Sequence, residues 1–321
     1  MDIFLTNETA LEFWRLHRRS QGNRNFSQCR RRPPCEASAS DTKRLAETWG
    51  LTLPLDIMVG ERSARLSSKA VRPHYCSKPI PSGFFVCFGD GLYICSPEFC
   101  FFQMAAKYPL VKLITLGLEL CGSYSLPGSA STAGDRDENA QTMYDFPPLT
   151  SKKKLTAFAA RMDGWTGHRQ ALKALRHVAD NSASPMEAVL VVLLTLPYRY
   201  GGYGLPIPEL NGRIYPQKRV SQFEGKRFYR GDLLWREAGV VVEYDSDEEH
   251  SGSSRIAMDA IRRNDLSLCG IFEVTVTNKQ IKSMVLFDKV AKQIAARIGK
   301  ELRYTEPEFK NARWELRSVL F

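Results

Sequence analysis

The chain has 321 residues, of which 43% are hydrophobic and 25% are charged. This mixture is typical of a soluble globular protein, and it excludes collagen, a coiled coil and a wholly disordered chain. At roughly 150 residues per domain, the length suggests about two domains. Lys and Arg outnumber Asp and Glu by 45 to 35, which leaves a net charge of +10.

The positive charge is concentrated in the second half of the chain. Residues 1–150 contain 17 basic and 15 acidic side chains, whereas residues 151–321 contain 28 and 20. A basic domain favours a polyanionic partner such as nucleic acid, although many soluble proteins are equally basic without one. Charge alone therefore leaves open a basic interaction domain with no role in nucleic-acid binding.

The sequence carries no sign of export or of a membrane. The eight cysteines include no C-x-x-C spacing, which argues against a zinc ribbon or a thioredoxin motif. The first residues include acids where a signal peptide needs bases. The longest apolar run, residues 188–196, is far shorter than the roughly 20 residues of a membrane span. We therefore expect a cytoplasmic protein with reduced cysteines and no membrane partner.

In the first half, local patterns predict several short elements in chain order. Residues 7–17 are predicted to form an amphipathic helix. Residues 84–94 alternate aromatic and β-branched side chains around a Gly-Asp-Gly turn, which predicts a β-hairpin. Ser96 is predicted to cap a helix that ends at about Lys107. Residues 122–148 are rich in Gly, Ser, Pro and Asp and predict a loop.

The second half begins with helical patterns. Residues 149–180 are basic, and we expect them to form a helical bridge between the two halves. Ser184 and Glu187 have the spacing of a capping box, which predicts a helix that continues to Leu196. The apolar character of this helix predicts that it is mostly buried.

Two antiparallel strands, residues 227–235 and 240–245, are predicted next, joined by a tight turn. They bring Asp232 on one strand close to Glu243 on the other. Two adjacent carboxylates are unfavourable unless a proton or a cation lies between them, and hard oxygen ligands select Mg²⁺ or Mn²⁺. Asp245 lies two residues after Glu243 and so is expected on the same face of the strand.

The rest of the second half completes an α/β pattern. A run of acids ends at His250, which follows the carboxylates closely enough to be a candidate acid or base. Residues 253–268 predict a helix, residues 271–277 a strand, and a last helix carries an apolar stripe. This order predicts an α/β (α+β) fold, with helices flanking a small mixed sheet. Five arginines near the acids are candidate DNA contacts: Arg227, Arg230, Arg255, Arg262 and Arg263.

The second half resembles a known family in the order and spacing of its motifs. The motifs are Ser184-Pro-Met-Glu187, Gly231-Asp-Leu-Leu-Trp235, Val240-Val-Val-Glu-Tyr-Asp245, His250, and Asp259-x-x-Arg262-x-x-x-Leu266-x-x-x-Gly270. Over about residues 170–300 the chain is similar to the endonuclease-like domain related to very-short-patch-repair endonucleases, within the PD-(D/E)XK nuclease superfamily. The resemblance implies a PD-(D/E)XK-type mixed sheet in this part of the chain.

The resemblance also implies roles for individual residues. Asp232 and Glu243 would bind Mg²⁺ or Mn²⁺, which activates water for phosphodiester cleavage in DNA. Glu187 matches the acid of the leading helix, and His250 matches a histidine that assists as acid or base. With Asp245, these residues form the candidate catalytic set.

Three positions depart from the superfamily pattern. Asp245 stands where the superfamily has a lysine, a substitution that is usual in this branch. Ser246 stands in place of a glycine and Thr275 in place of an arginine. These departures leave open a nuclease fold that has lost its chemistry.

The first half resembles the AbiEi-type antitoxin and regulator-like proteins that often precede this nuclease-like domain in bacteria. The matching segments are Ile94-Cys-Ser-Pro-Glu98, Phe102-Gln-Met-Ala105 and Leu118-Glu-Leu-Cys-Gly122. The resemblance implies binding of DNA, including the protein's own operon, or of a toxin partner. We expect four regions: an AbiEi-like α+β recognition domain (1–148), a basic bridge (149–180), an endonuclease-like domain (181–300) and a C-terminal extension (301–321).

Two hypotheses follow for the function. The first is a metal-dependent DNA endonuclease or nicking enzyme, with the first half recognising the substrate or a partner. The second is a non-catalytic DNA-binding regulator or type IV antitoxin-like protein that uses a degenerate nuclease fold as a platform.

Overall fold

The computed structural model describes residues 2–18, 33, 38–63, 68–89, 91–128, 141–215, 228–245, 253–304 and 307–321, with the backbone alone at 253–257 and 259. The chain divides into two compact units, Met1–Arg176 and His177–Phe321. Both units combine helices with a mixed sheet, so the predicted mixed α/β fold class is confirmed.

The first unit contains a five-stranded sheet in the order β3-β2-β1-β5-β4. Its strands are β1 (Ile3–Leu5), β2 (Leu55–Val59), β3 (Val71–Tyr75), β4 (Phe85–Gly89) and β5 (Leu92–Cys95). Its helices are α1 (Asn7–His17), α2 (Ala39–Trp49), α3 (Pro97–Ala105), α4 (Leu110–Leu120), α5 (Lys152–Ala160) and α6 (His168–Leu175).

The local predictions for the first unit agree with its structure. Helix α1 has the predicted bounds, and β4 and β5 form the predicted antiparallel hairpin. The side chain of Ser96 accepts a hydrogen bond from Phe99 N at 3.2 Å, so the predicted cap of α3 is confirmed. The helix ends at Ala105, two residues earlier than predicted.

The basic segment 149–180 folds as two helices. Gly164 and Gly167, both with positive φ, lie between α5 and α6. Both helices pack on α3, within the first unit. Gly167 is required by this packing, because a Cβ there would lie 2.9 Å from the backbone nitrogen of Ala106. Most of the predicted bridge therefore belongs to the first unit.

The second unit contains a four-stranded sheet in the order β6-β7-β8-β9. Its strands are β6 (Glu209–Ile214), β7 (Tyr229–Trp235), β8 (Val240–Asp245) and β9 (Phe272–Thr277). Strands β6, β7 and β8 pair antiparallel, and β9 pairs parallel with β8. Its helices are α7 (Pro185–Thr195), α8 (Ser253–Leu268), α9 (Asn278–Lys282), α10 (Met284–Ile298) and α11 (Glu308–Leu320).

The apolar pattern explains how the helices lie on this sheet. Helix α7 is buried along most of its length, as its continuous apolar run predicts. Leu266 of α8 packs into a core cluster with Leu234 and Val241, which fixes α8 on the strands. Helix α11, in the predicted extension, packs on a 3-10 helix at Tyr198–Tyr200. None of the helices in the described segments combines the length and the apolar character that a membrane crossing requires.

Candidate acidic site at the end of the β7 and β8 ladder

The site forms where β7 and β8 stop pairing. Their last paired residues are Leu233 and Val242, and the next residues along the two strands are Asp232 and Glu243. Asp232 Oδ2 accepts a hydrogen bond from the backbone N–H of Tyr244 at 2.8 Å. The Glu243 carboxylate in turn accepts one from the backbone N–H of Asp232. The two acids thus replace ladder hydrogen bonds, which holds their carboxylates side by side.

Glu187 joins the two strand acids from the first turn of α7, which packs on β7. Ser184 caps the helix by accepting a hydrogen bond from Glu187 N at 3.1 Å. In a capping box the Glu187 carboxylate would accept a hydrogen bond from the backbone N–H of Ser184. Here it accepts one from the backbone N–H of Ala183 instead, at 2.8 Å. This contact fixes Glu187 at the buried start of the helix.

Asn211 is a site residue that the sequence analysis missed. Its side-chain amide donates to Glu187 Oε2 at 2.7 Å and to the carbonyl of Asn181 at 2.9 Å. Asn211 has a φ of +51° and Asn181 a φ of +71°, a region that asparagine enters more readily than most residues. Asn211 therefore holds the Glu187 carboxylate from the neighbouring strand β6.

Burial and mutual repulsion raise the proton affinity of this cluster. Burial, together with the nearby charge of Asp232, raises the pKa of Glu187 to about 7. The same two causes raise the pKa of Glu243 to about 8. Burial also raises the pKa of Asp232, against the opposing effect of its hydrogen bond from Tyr244 N. Near neutral pH the carboxylates therefore favour uptake of protons or a cation.

Arg262 of α8 brings a positive charge into the cluster. It forms an ion pair with Glu243 and donates to the carbonyl of Arg230 at 2.9 Å. Its Nε lies 3.7 Å from Oε2 of Glu273, a β9 residue whose side chain is 11% exposed. Within the described part of the chain, these two buried atoms have no hydrogen-bond partner. Glu273 was not among the residues predicted for the site.

The remaining predicted site residues fall in different places. Asp245 is the last residue of β8 and is exposed. Arg230 is exposed on β7. Arg263 is 63% exposed, with Nε 3.9 Å from Glu273. Three predictions lie outside the described residues or side chains: His250, Arg227 and the side chain of Arg255.

The carboxylate oxygens of this site are the ligands that a hard divalent cation such as Mg²⁺ prefers. Among the side chains that the structure describes, no three of His, Cys, Asp or Glu converge as a preformed metal cage. Mg²⁺, however, commonly uses only one or two carboxylates, with water and substrate phosphate completing its shell. Asp232 and Glu243 meet that requirement, and burial raises the pKa of both carboxyl groups, with the charge of Asp232 adding to the effect on Glu243.

Comparison of the chain with family models, curated proteins and solved structures finds no match. The chemistry of the acidic site is therefore the basis for the function proposed below. The similarity to very-short-patch-repair endonucleases and to AbiEi-type proteins stays a prediction.

Proposed function

We propose that the second unit hydrolyses phosphodiester bonds in DNA, using Mg²⁺ or Mn²⁺ held by Asp232 and Glu243. The observation that carries the proposal is the pairing of these acids where β7 and β8 separate. Glu187 and Glu273 add further negative charge, whereas Arg262 pairs with Glu243 and Arg263 lies 3.9 Å from Glu273. A dication would relieve this repulsion and attract a phosphate to a site that otherwise repels it.

The residues around the pair have distinct roles in this proposal. When bound, the cation supplies Lewis-acid polarisation of the phosphate and a more acidic water. Glu187, with a pKa of about 7, is held where it can exchange a proton with water near neutral pH. Arg262 can shift its ion pair from Glu243 to an incoming phosphate, since both present two anionic oxygens to the N–H groups of a guanidinium. His250 stays a candidate acid or base.

The basic surface of this half would hold the DNA backbone. Arg230 and Arg263 are exposed, so they can contact phosphates. Arg227 and Arg255 keep the same proposed role from the sequence. A DNA substrate and reduced cysteines would place the protein in the cytoplasm.

Nicking of supercoiled plasmid tests this function. The wild-type protein should nick the plasmid in Mg²⁺ or Mn²⁺ and not in EDTA. Asp232→Ala and Glu243→Ala should lose the activity by at least about a hundredfold, because each removes half of the cation's protein ligands. Glu209→Gln is the control, since Glu209 is a 48% exposed acid of the same sheet, paired with Arg236. Equal nicking by all four proteins would refute the proposal.

A second function is favoured by the ion pair between Arg262 and Glu243. This pair partly neutralises the acids with a group of the chain itself, as expected of a fold that has lost its metal. The protein would then be a non-catalytic DNA-binding regulator or antitoxin-like protein, bound to its own operon or to a toxin. Salt-dependent DNA binding that is equally tight in EDTA, with no cleavage in Mg²⁺ or Mn²⁺, would favour this function.

A further inference from the structure

A cavity in the second unit, away from the acidic site, has the chemistry of a nucleotide site. It has a volume of about 340 Å³, within the usual range of ligand pockets. It lies between the 3-10 helix Tyr198–Tyr200 and the start of α11. Among the described residues, its lining includes three aromatic rings, two arginines and an acid: Tyr198, Tyr304, Phe309, Arg199, Arg303 and Glu308.

The three rings form a continuous apolar surface. Phe309 is buried and supports the other two rings. The Tyr304 ring lies 4.4 Å from that of Phe309, centroid to centroid, with an angle of 38° between them. The Tyr198 ring meets Phe309 edge to face at 5.5 Å. Tyr198 and Tyr304 are half-buried, so part of each ring is available to a ligand.

The walls of the cavity are held in place by close backbone contacts. Gly201 ends the 3-10 helix with a φ of +82°, and a Cβ at this position would lie 2.4 Å from the carbonyl oxygen of Ala312. Glycine is therefore needed for the approach of the 3-10 helix to α11. The Tyr198 hydroxyl also accepts a hydrogen bond from Arg303 N at 3.1 Å. The cavity is thus preformed, which lowers the entropic cost of binding.

The charged groups favour an anionic ligand that carries a ring. The Arg199 guanidinium lies over the Tyr200 ring, 4.9 Å from its centroid, which orients it at the edge of the cavity. Arg303 pairs with Glu301, but both side chains are more than 70% exposed, so a phosphate can compete with this pair. The carboxylate of Glu308 can accept a hydrogen bond from the amino group of a base.

We infer that this cavity binds an unpaired nucleotide of single-stranded DNA. The base would stack on Tyr198 and Tyr304, while Arg199 and Arg303 contact the phosphates on either side. Stacking on aromatic rings beside a basic surface is a general way to bind single strands, since every base presents a π face. The inference rests on the proposed function for the choice of DNA as the ligand, and it adds a preference for an unpaired region.

Fluorescence anisotropy with the full-length protein tests the inference. The probe is a short fluorescein-labelled oligodeoxycytidylate, and EDTA removes any dependence on cleavage. Tyr304→Ala should raise the Kd about tenfold, because one stacked base is lost. Tyr304→Phe keeps the ring, and Trp314→Ala removes a 60% exposed ring elsewhere on α11, so both should stay within about twofold of wild type.

Salt dependence provides a second and independent readout. Arg199→Ala alters an exposed side chain, and it should reduce the slope of log affinity against log salt by about 0.7, the value for one phosphate of a single strand. The inference is wrong if Tyr304→Ala binds like wild type while folded, or if Arg199→Ala leaves the slope unchanged. It is also wrong if duplex DNA binds as tightly as the single strand. Glu209→Gln should bind normally. Because binding is measured in EDTA, loss of plasmid nicking with intact single-strand binding would refute the nuclease proposal alone, so the two failures are distinguishable.

Discussion

Replacement of Glu243 by glutamine tests the electrostatics of the acidic site without removing its shape. Glutamine keeps a carbonyl oxygen that can accept from Asp232 N and from Arg262, and it resembles the protonated form of glutamate. The expected effect follows from the pKa of Glu243, which burial and Asp232 raise from 4.5 to about 8. Folding therefore retains a proton that the unfolded chain releases between these two pH values.

The size and sign of the effect follow from this difference. The raised pKa contributes stability that is fully present below about pH 4.5 and is lost as pH rises through about 8. A tenfold change in proton affinity is worth about 1.4 kcal/mol, so a rise in the pKa from 4.5 to about 8 corresponds to a loss of the order of 5 kcal/mol. Glu243→Gln has no such proton to lose. Without metal it should equal wild type at acidic pH and exceed it by a few kcal/mol at high pH.

Hydrogen exchange in increasing urea, read on peptides from β7 and β8, measures the stability of the second unit. The experiment compares wild type, Glu243→Gln and the control Glu209→Gln from acidic to alkaline pH in EDTA. Mg²⁺ should restore the stability of the wild type at high pH and have little effect on Glu243→Gln, because a ligand stabilises only the state that binds it. Parallel pH curves for wild type and Glu243→Gln would refute the argument.

Three further predictions concern the same site. Asn211→Gly keeps the positive φ but removes the side-chain amide that donates to Glu187. Nicking should therefore fall about tenfold, with little loss of stability. Unchanged nicking would exclude a positioning role for Asn211. Gly231→Ala places a Cβ 2.2 Å from Cγ2 of the buried Val241. Urea unfolding should therefore show a free energy of unfolding that is lower by about 1–3 kcal/mol. A variant as stable as wild type would contradict this prediction. Mn²⁺ binding should release protons, and its affinity should rise as pH passes the pKa of Glu243, which is about 8. Calorimetry in two buffers would measure both the affinity and the proton release. An affinity that does not depend on pH would argue against binding at these carboxylates.

The elements of the second unit that carry strong local signals were predictable. Ser184 starts α7 because its side chain accepts from the free backbone N–H of Glu187. Strands β7 and β8 follow from alternation, a valine run and the turn at Gly239, whose φ is +61°. Strand β6 was missed for a physical reason. Its Asn211-Gly212 pair is typical of a turn, yet here Asn211 takes the left-handed conformation inside a strand.

The first unit shows a second limit of local patterns. Strand β1 has only three residues, Ile3–Leu5, although it lies at the centre of the sheet. So short an apolar segment has no detectable period, and its pairing with β2 and β5 joins residues far apart in the chain. Strand β3 contains Pro73, which is compatible with its position at the edge of the sheet.

The acidic site was predictable only in part. Asp232 and Glu243 could be placed together because the two strands are adjacent and the turn between them is short. The ion pair of Arg262 with Glu243 and the approach of Glu273 depend on how α8 and β9 pack on β8, and no local pattern encodes that packing. Strand alternation places Asp245 on the face of Glu243, and Asp245 still pairs with Thr277 of β9 at the exposed end of the strand.

Anomalous scattering from a crystal soaked in Mn²⁺ at alkaline pH tests the central claim most directly. The acidic site is expected to show a manganese peak bound by carboxylate oxygens of both Asp232 and Glu243, with the Arg262 guanidinium displaced from Glu243. Density that lacks this peak, with Arg262 still paired to Glu243 at saturating Mn²⁺, would contradict a metal-dependent nuclease.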